Sequence, residues 1–404
     1  MSRIVLAVLS QGMASVASMV LSIMIARAVP VDDFGVFAIT FSTWIIVVGS
    51  IRAGTAELFV FEHSAKSSAQ FHKKMSDALS AGLVLSACGS LGLVVIALFI
   101  PYLTTAFLIL AAGVPALYLQ DANRYFLVAK KRQLSALGID LLYVVLIIVI
   151  MTVITTSNEL STYLWEWVAI SWIAAAVGTA LVRPKIGLMG SRSWIGEQSK
   201  SVIYFFLDFI VANGVANSAV YFVAAWGSLA DSAALRGSQV LLVPILLIMR
   251  GASVALGPEL ARFVSRGRKH RVVQIVGLLS LVQLIAVLMA WVLVAVIPVT
   301  TAEVILGDSA SNTLSIFPFA ALATLMLGLA TVAMVGLKAA GDVRHSLKLK
   351  IATAPITLGL LVSGIFVSGA AGSSGAAGSQ VGLAAGEGVR TGLQWVRLRL
   401  WKNT

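Results

Sequence analysis

Residues 26–45 read ARAVPVDDFGVFAITFSTWI, and residues 224–245 read AAWGSLADSAALRGSQVLLVPI. Each closes a long apolar run, makes a short polar turn that carries Asp, and opens a second apolar run. About 20 apolar residues span a hydrocarbon core, so each stretch reads as the turn of a transmembrane helical hairpin. The likeness between them is one of layout and spacing, and it fits a chain of two six-helix halves. Both halves enter from the same side, which puts the relating axis along the membrane normal, as in parallel-repeat transporters.

Extended along the chain, the same reading gives spans at approximately 4–26, 34–56, 76–98, 106–128, 134–154, 164–182, 202–226, 234–256, 272–297, 312–337, 351–368 and 376–395. The expected fold is an all-α polytopic membrane protein. About 12 transmembrane helices form two six-helix lobes, 1–200 and 201–404, around a central cavity. Composition agrees: hydrophobic residues make up 59% of the 404, charged residues 11%, and the mean hydropathy is +0.97. A soluble fold carries about a quarter of its residues charged. The longest gaps, near 57–75 and 183–201, are too short for a separate soluble core. The first run, Ile4–Ala26, exceeds a signal-peptide core of about 7–15 residues and is expected to remain as a span. The segment Gly364–Gly392 is rich in Gly, Ala and Ser, and reads as a flexible outer loop followed by a tightly packed small-residue helix.

The basic residues fall in alternate gaps. Arg3, Lys66, Lys73, Lys74, Lys130, Lys131, Arg132, Arg183, Lys185, Arg192, Lys200, Arg262, Arg266, Arg268, Lys269, Arg271, Lys338, Arg344, Lys348, Lys350, Arg397, Arg399 and Lys402 share one side, 23 of the 29. The other side has Arg27 with Asp32, Asp33, Glu159, Asp231, Glu303 and Asp308. By the positive-inside rule both termini are cytoplasmic. The same rule accounts for the net charge of +12 without nucleic acid. Cys88 has no second cysteine to pair with. His63, His72, His270 and His345 lie in gaps without metal-ligand spacing, and no nucleophile triad or phosphate loop appears. Neither an enzyme nor a resident cofactor is expected.

An ionisable side chain inside a span costs about 2.5–3.5 kcal/mol on insertion scales, so each asks for a reason. Asp121 and Arg124, like Glu387 and Arg390, stand three apart on one helix face and can neutralise each other. Asp140 lies within two turns of a span end and can reach water there. Arg52 and Arg250 have no acid at i±3 or i±4 and occupy equivalent spans under the proposed repeat. They read either as snorkelling side chains or as two unpaired guanidiniums of a shared cationic cavity, extended by Arg124 and Arg236. Guanidinium matches phosphate oxygens bidentately and keeps its charge when buried. Asp208, alone in its span, either pairs with an arginine or serves a coupling cation of unspecified identity.

Several patches resemble the Wzx-like polysaccharide/oligosaccharide-lipid flippases of the multidrug/oligosaccharidyl-lipid/polysaccharide exporter superfamily. They are Ala26-Arg27, Asp33-Phe34-Gly35, Gly49-Ser50-Ile51-Arg52-Ala53-Gly54, and Val335-Gly336-Leu337-Lys338-Ala339-Ala340-Gly341-Asp342-Val343-Arg344. The resemblance implies a two-lobed transporter in the plasma membrane of a prokaryote, moving a polyprenyl-diphosphate-linked oligosaccharide between leaflets. Arg27, Arg52 and Arg250 match positions where such flippases carry basic residues. Membrane lipids are the other implied partner, and a partner polysaccharide polymerase stays open. The nearest rival reading is multidrug extrusion of organic cations, which calls for an unpaired acid such as Asp208. A membrane glycosyltransferase or polymerase calls for a large outer loop, and the outer gaps are short. A structural scaffold leaves Arg52 and Arg250 unexplained.

Overall fold

The computed structural model describes the backbone of residues 3–63, 68–340 and 342–403. Side chains are described for these residues apart from 3–11, 63, 68–69, 248–259, 261, 343–346 and 402–403. Lys66 and Gly341 therefore lie outside the described residues, as do the side chains of Arg3, His63, Arg250, Arg344, His345 and Lys402.

Twelve long helices follow one another among the described residues, one on each expected span. They are α1 (Arg3–Ala28), α2 (Val31–Arg52), α3 (Ser68–Phe99), α4 (Thr104–Ala129), α5 (Gln133–Val149), α6 (Leu160–Val182), α7 (Leu188–Trp226), α8 (Leu229–Ser265), α9 (Lys269–Val296), α10 (Ala310–Ala339), α11 (Val343–Ala370) and α12 (Gly375–Asn403). Ten described helical stretches are long and apolar enough to cross a membrane. The other two are α1, whose described apolar part is Gly12–Ala28, and α12, diluted by Gly, Ser and Arg. Leu98, Phe99, Val153, Met189, Leu293 and Val296 are among many large apolar side chains on the outside. Exposing such area to water costs about 25 cal/mol per Å²; facing lipid, it costs nothing comparable. The chain is a multi-pass membrane protein.

Two compact units divide the chain. One comprises residues up to 29 with 39–214, and the other 30–38 with 215–404. In the first, α4 packs on α3 and α6, and α1 on α5. Its core is aromatic: the Phe59 ring lies 5.0 Å from Phe71 and 5.4 Å from Phe126, centroid to centroid. The buried Trp167 Nε1 donates to Tyr143 Oη at 2.8 Å, so its polar atom is satisfied where no water reaches.

In the second unit α8, α9, α10 and α12 share an apolar core that includes Leu242, Val276, Phe317, Leu325 and Leu398. Helices α11 and α12 meet backbone to backbone. A Cβ on Gly364 would strike the Gly378 carbonyl, and one on Gly382 would strike Leu360. Small residues allow this approach, which is how helices gain packing energy in lipid. The Gly-rich segment is thus mostly helix, and the expected outer loop shrinks to Ala371–Ser374.

The α11–α12 seam gives a signed prediction. Gly364→Ala should lower the thermal transition of the detergent-purified protein, because the methyl group meets backbone and overpacking costs about 1–3 kcal/mol. Gly359→Ala, with open space at its Cβ position, should hold or raise it through helix propensity of up to about 1 kcal/mol.

Candidate functional site

The helix begun by α2 does not end at Arg52. Ala53–Glu57 form one π-helical turn, after which Leu58–His63 resume α-helix. The Leu58 N–H donates to the Ala53 carbonyl, five residues back. Single π-turns of this kind cluster at functional sites. Here the extra residue per turn brings Glu57, at i+5, to Arg52, with a carboxylate oxygen 3.9 Å from Nε.

Neighbouring helices lock the turn in place. Thr55 Oγ1 donates to the Ile51 carbonyl at 2.6 Å and shares a 3.1 Å hydrogen bond with Tyr118 Oη. Trp194 Nε1, fully buried, donates to the Gly54 carbonyl at 3.2 Å. Glycines make the room: a Cβ at Gly82 would overlap the Tyr118 ring, and one at Gly49 the Phe209 ring. With Phe209 seated against Gly49, its ring centroid lies 5.4 Å from the Arg52 guanidinium carbon. The Tyr125 ring stands at the same distance. Aromatic faces hold a desolvated cation at such separations.

Asp121 of α4 joins the cluster. Its Oδ2 accepts from Arg52 Nη1 at 2.7 Å, and its Oδ1 pairs with Arg124 one turn along α4. One carboxylate thus serves two guanidiniums, with side-chain exposures of 9% for Asp121, 8% for Arg124 and 20% for Arg52. The expectation of an acid-free Arg52 is overturned. Its partners are an acid on another helix and an acid at i+5, which a count at 3.6 residues per turn passes over. Among the described residues Arg52 Nε makes no hydrogen bond.

The other candidates are dispersed. Arg27 is exposed at the end of α1. Asp208 is half-buried on α7 in the first unit, and Asp140 is buried on α5. Arg236 belongs to the second unit, buried on α8, with Nη1 donating to Gln239 Oε1 at 3.2 Å. Arg250 is also on α8, and its side chain lies outside those described. Glu387 and Arg390 form the expected i,i+3 pair at 2.5 Å within the second unit. Among the described residues no group of three or more His, Cys, Asp or Glu is placed to hold a metal ion. Sequence reasoning missed Glu57, Tyr125 and Phe209. The small-residue run Ala53-Gly54-Thr55-Ala56 was the one local sign of the change of pitch there.

No protein-family model matches the chain, and no curated protein matches it. Solved structures do. An inward-facing multidrug resistance MATE family transporter of the MOP superfamily superposes with a TM-score of 0.69 at 15% identity, over 96% of this chain and 94% of that one. This chain has the MATE fold. Its outward-facing counterpart gives 0.60 at 15% identity, over 99% and 94% of the two chains. A MOP superfamily transporter from Pyrococcus furiosus, described by the reverse polarity of its binding pocket, gives 0.60 at 15% identity over 98% and 95%. Within this MATE fold, the Arg52 cluster occupies the first of the two units.

Stability should reveal which carboxylate holds the cluster. Asp121→Asn leaves two guanidiniums buried without their shared counter-charge and should cost about 3–5 kcal/mol. Glu57, with its side chain 43% exposed, should cost at most about 1 kcal/mol as Glu57→Gln. Reversible unfolding in mixed micelles measures both.

Proposed function

We propose that this chain is an alternating-access membrane transporter for an amphipathic anion, a lipid-diphosphate-linked oligosaccharide. It would carry this substrate from the inner to the outer leaflet of a prokaryotic plasma membrane, for cell-surface polysaccharide assembly. Cytoplasmic termini and a partner polymerase belong to the same proposal. The MATE fold supports transport by alternating access. The observation that carries the choice of substrate is the edge of Arg52. Nη1 is committed to Asp121, while among the described residues Nε makes no hydrogen bond and faces Glu57 at 3.9 Å. A guanidinium presents Nε and Nη2 as a fork that fits two phosphate oxygens. A diphosphate displaces the long, partly exposed Glu57 contact and gains two charge-assisted hydrogen bonds. Asp121 stays in place, and when the site is empty it and Glu57 together balance Arg52 and Arg124. Tyr125 and Phe209 hold the guanidinium plane, so little side-chain entropy is lost on binding.

A second reading, organic-cation export, is favoured by the carboxylates Glu57 and Asp121 beside two aromatic rings, and by the multidrug transporters that share the fold. The two readings make opposite demands on Arg52 and Glu57. Proteoliposomes loaded with a fluorescent lipid-diphosphate oligosaccharide, and in parallel with ethidium, separate them. We expect translocation of the lipid-linked sugar to fall about 10- to 100-fold in Arg52→Gln, from the lost charged hydrogen bonds. Glu57→Gln should keep or raise it. Ethidium efflux that needs Glu57, with no movement of the lipid-linked sugar, would replace this proposal by the second reading.

A further inference from the structure

A second cationic feature lies at one end of the first unit, apart from the Arg52 cluster. A cleft of about 270 Å³ is lined by His72, Lys130, Arg132, Arg183 and the last turn of α6, Ala180–Val182. Among the described lining residues there is no carboxylate. Three elements build it: α3 supplies His72, the α4–α5 turn supplies Lys130 and Arg132, and the end of α6 supplies Arg183.

Local structure explains how the cations are held. Helix α6 stops at Arg183, which takes a left-handed conformation with φ 51°. Its last carbonyls then need partners, as at any helix C-terminus. Lys130 Nζ donates to the Val182 carbonyl at 2.6 Å, and Arg132 Nη1 to the Leu181 carbonyl at 3.2 Å. These contacts fix both side chains at the negative end of the helix dipole. Each cation spends one donor there and keeps the others. Arg183 makes no side-chain hydrogen bond or ion pair among the described residues. Burial, and then the charge of Arg132, pull the Lys130 ammonium below its ordinary range. Capping alone does not call for a third cation in the same cleft.

We propose that this cleft binds the phosphate of an anionic lipid headgroup from the leaflet at that end of the helices. Basic clefts between membrane helices recognise such headgroups through phosphate oxygens. A free phosphate ion has the same chemistry, and the surroundings favour the lipid. Leu134, two residues after Arg132, is exposed, as are Ile186, Leu188 and Met189, just after Arg183. Cations and exposed apolar side chains side by side suit a headgroup with its acyl chains and not a soluble anion.

Native mass spectrometry of the detergent-purified full chain tests this with phosphatidylglycerol, phosphatidylcholine and glycerol phosphate as probes. The wild type should retain phosphatidylglycerol roughly tenfold or more better than phosphatidylcholine. Millimolar glycerol phosphate should not displace it. Arg132→Gln/Arg183→Gln should bring the two lipids to within about twofold of each other. Arg266→Gln/Arg268→Gln, an exposed basic pair in the second unit, should leave the preference intact. Should the first double variant not fold, Arg183→Gln alone removes a cation that holds nothing else and should still weaken the preference. Three results would overturn the proposal: an unchanged preference in both Arg183 variants, equal losses in the two double variants, or glycerol phosphate binding as tightly as the lipid.

Discussion

A guanidinium inside a membrane needs a fixed counter-charge, and in this protein one carboxylate serves two of them. Asp121 holds Arg52 across helices and Arg124 within its own. Much of the first unit is arranged around that economy. The π-turn at Ala53–Glu57 offsets the chain after Arg52, Tyr118 and Trp194 bond the turn, and Gly49 and Gly82 admit the rings that steady it. Without Asp121 these contacts would surround two like charges in a medium of low dielectric, where repulsion is poorly screened. With it, and with Glu57 beside Arg52, the charges balance, and among the described residues Arg52 Nε is left without a hydrogen bond.

The overall fold was legible because hydropathy and charge asymmetry are collective signals. Twelve expected spans became twelve long helices, and the Gly-rich end became a close-packed helix as its small residues suggested. Helix ends were less legible: α3 begins at Ser68 and α7 at Leu188, well before the apolar cores expected from 76 and 202. A helix satisfies its own backbone hydrogen bonds, so it can run on into the polar zone where hydropathy no longer marks it.

The site was legible in part. That Arg52 asks for a reason, and that Asp121 pairs with Arg124, follows from the cost of intramembrane charge and from helical spacing. That Arg52 shares Asp121 is a contact between residues 69 apart in sequence, which local periodicity does not carry. Glu57 was hidden for a different reason. The i+3 and i+4 rule presumes α-helix, and the chain departs from it at the one turn that matters. Phe209 was hidden because it is one ring among many in an apolar helix, and only the bare face of Gly49 singles it out.

The most direct test is whether Arg52 itself touches the phosphate of the proposed substrate. Solid-state NMR can measure ¹⁵N–³¹P dipolar dephasing in bilayers containing the protein, labelled at arginine, and a lipid diphosphate. The Arg52 signal would be assigned by its loss in Arg52→Lys. The account predicts dephasing at Arg52 corresponding to a phosphorus within about 4 Å, as a hydrogen-bonded phosphate requires. An Arg52 signal untouched by the lipid diphosphate, under conditions where transport proceeds, would contradict it.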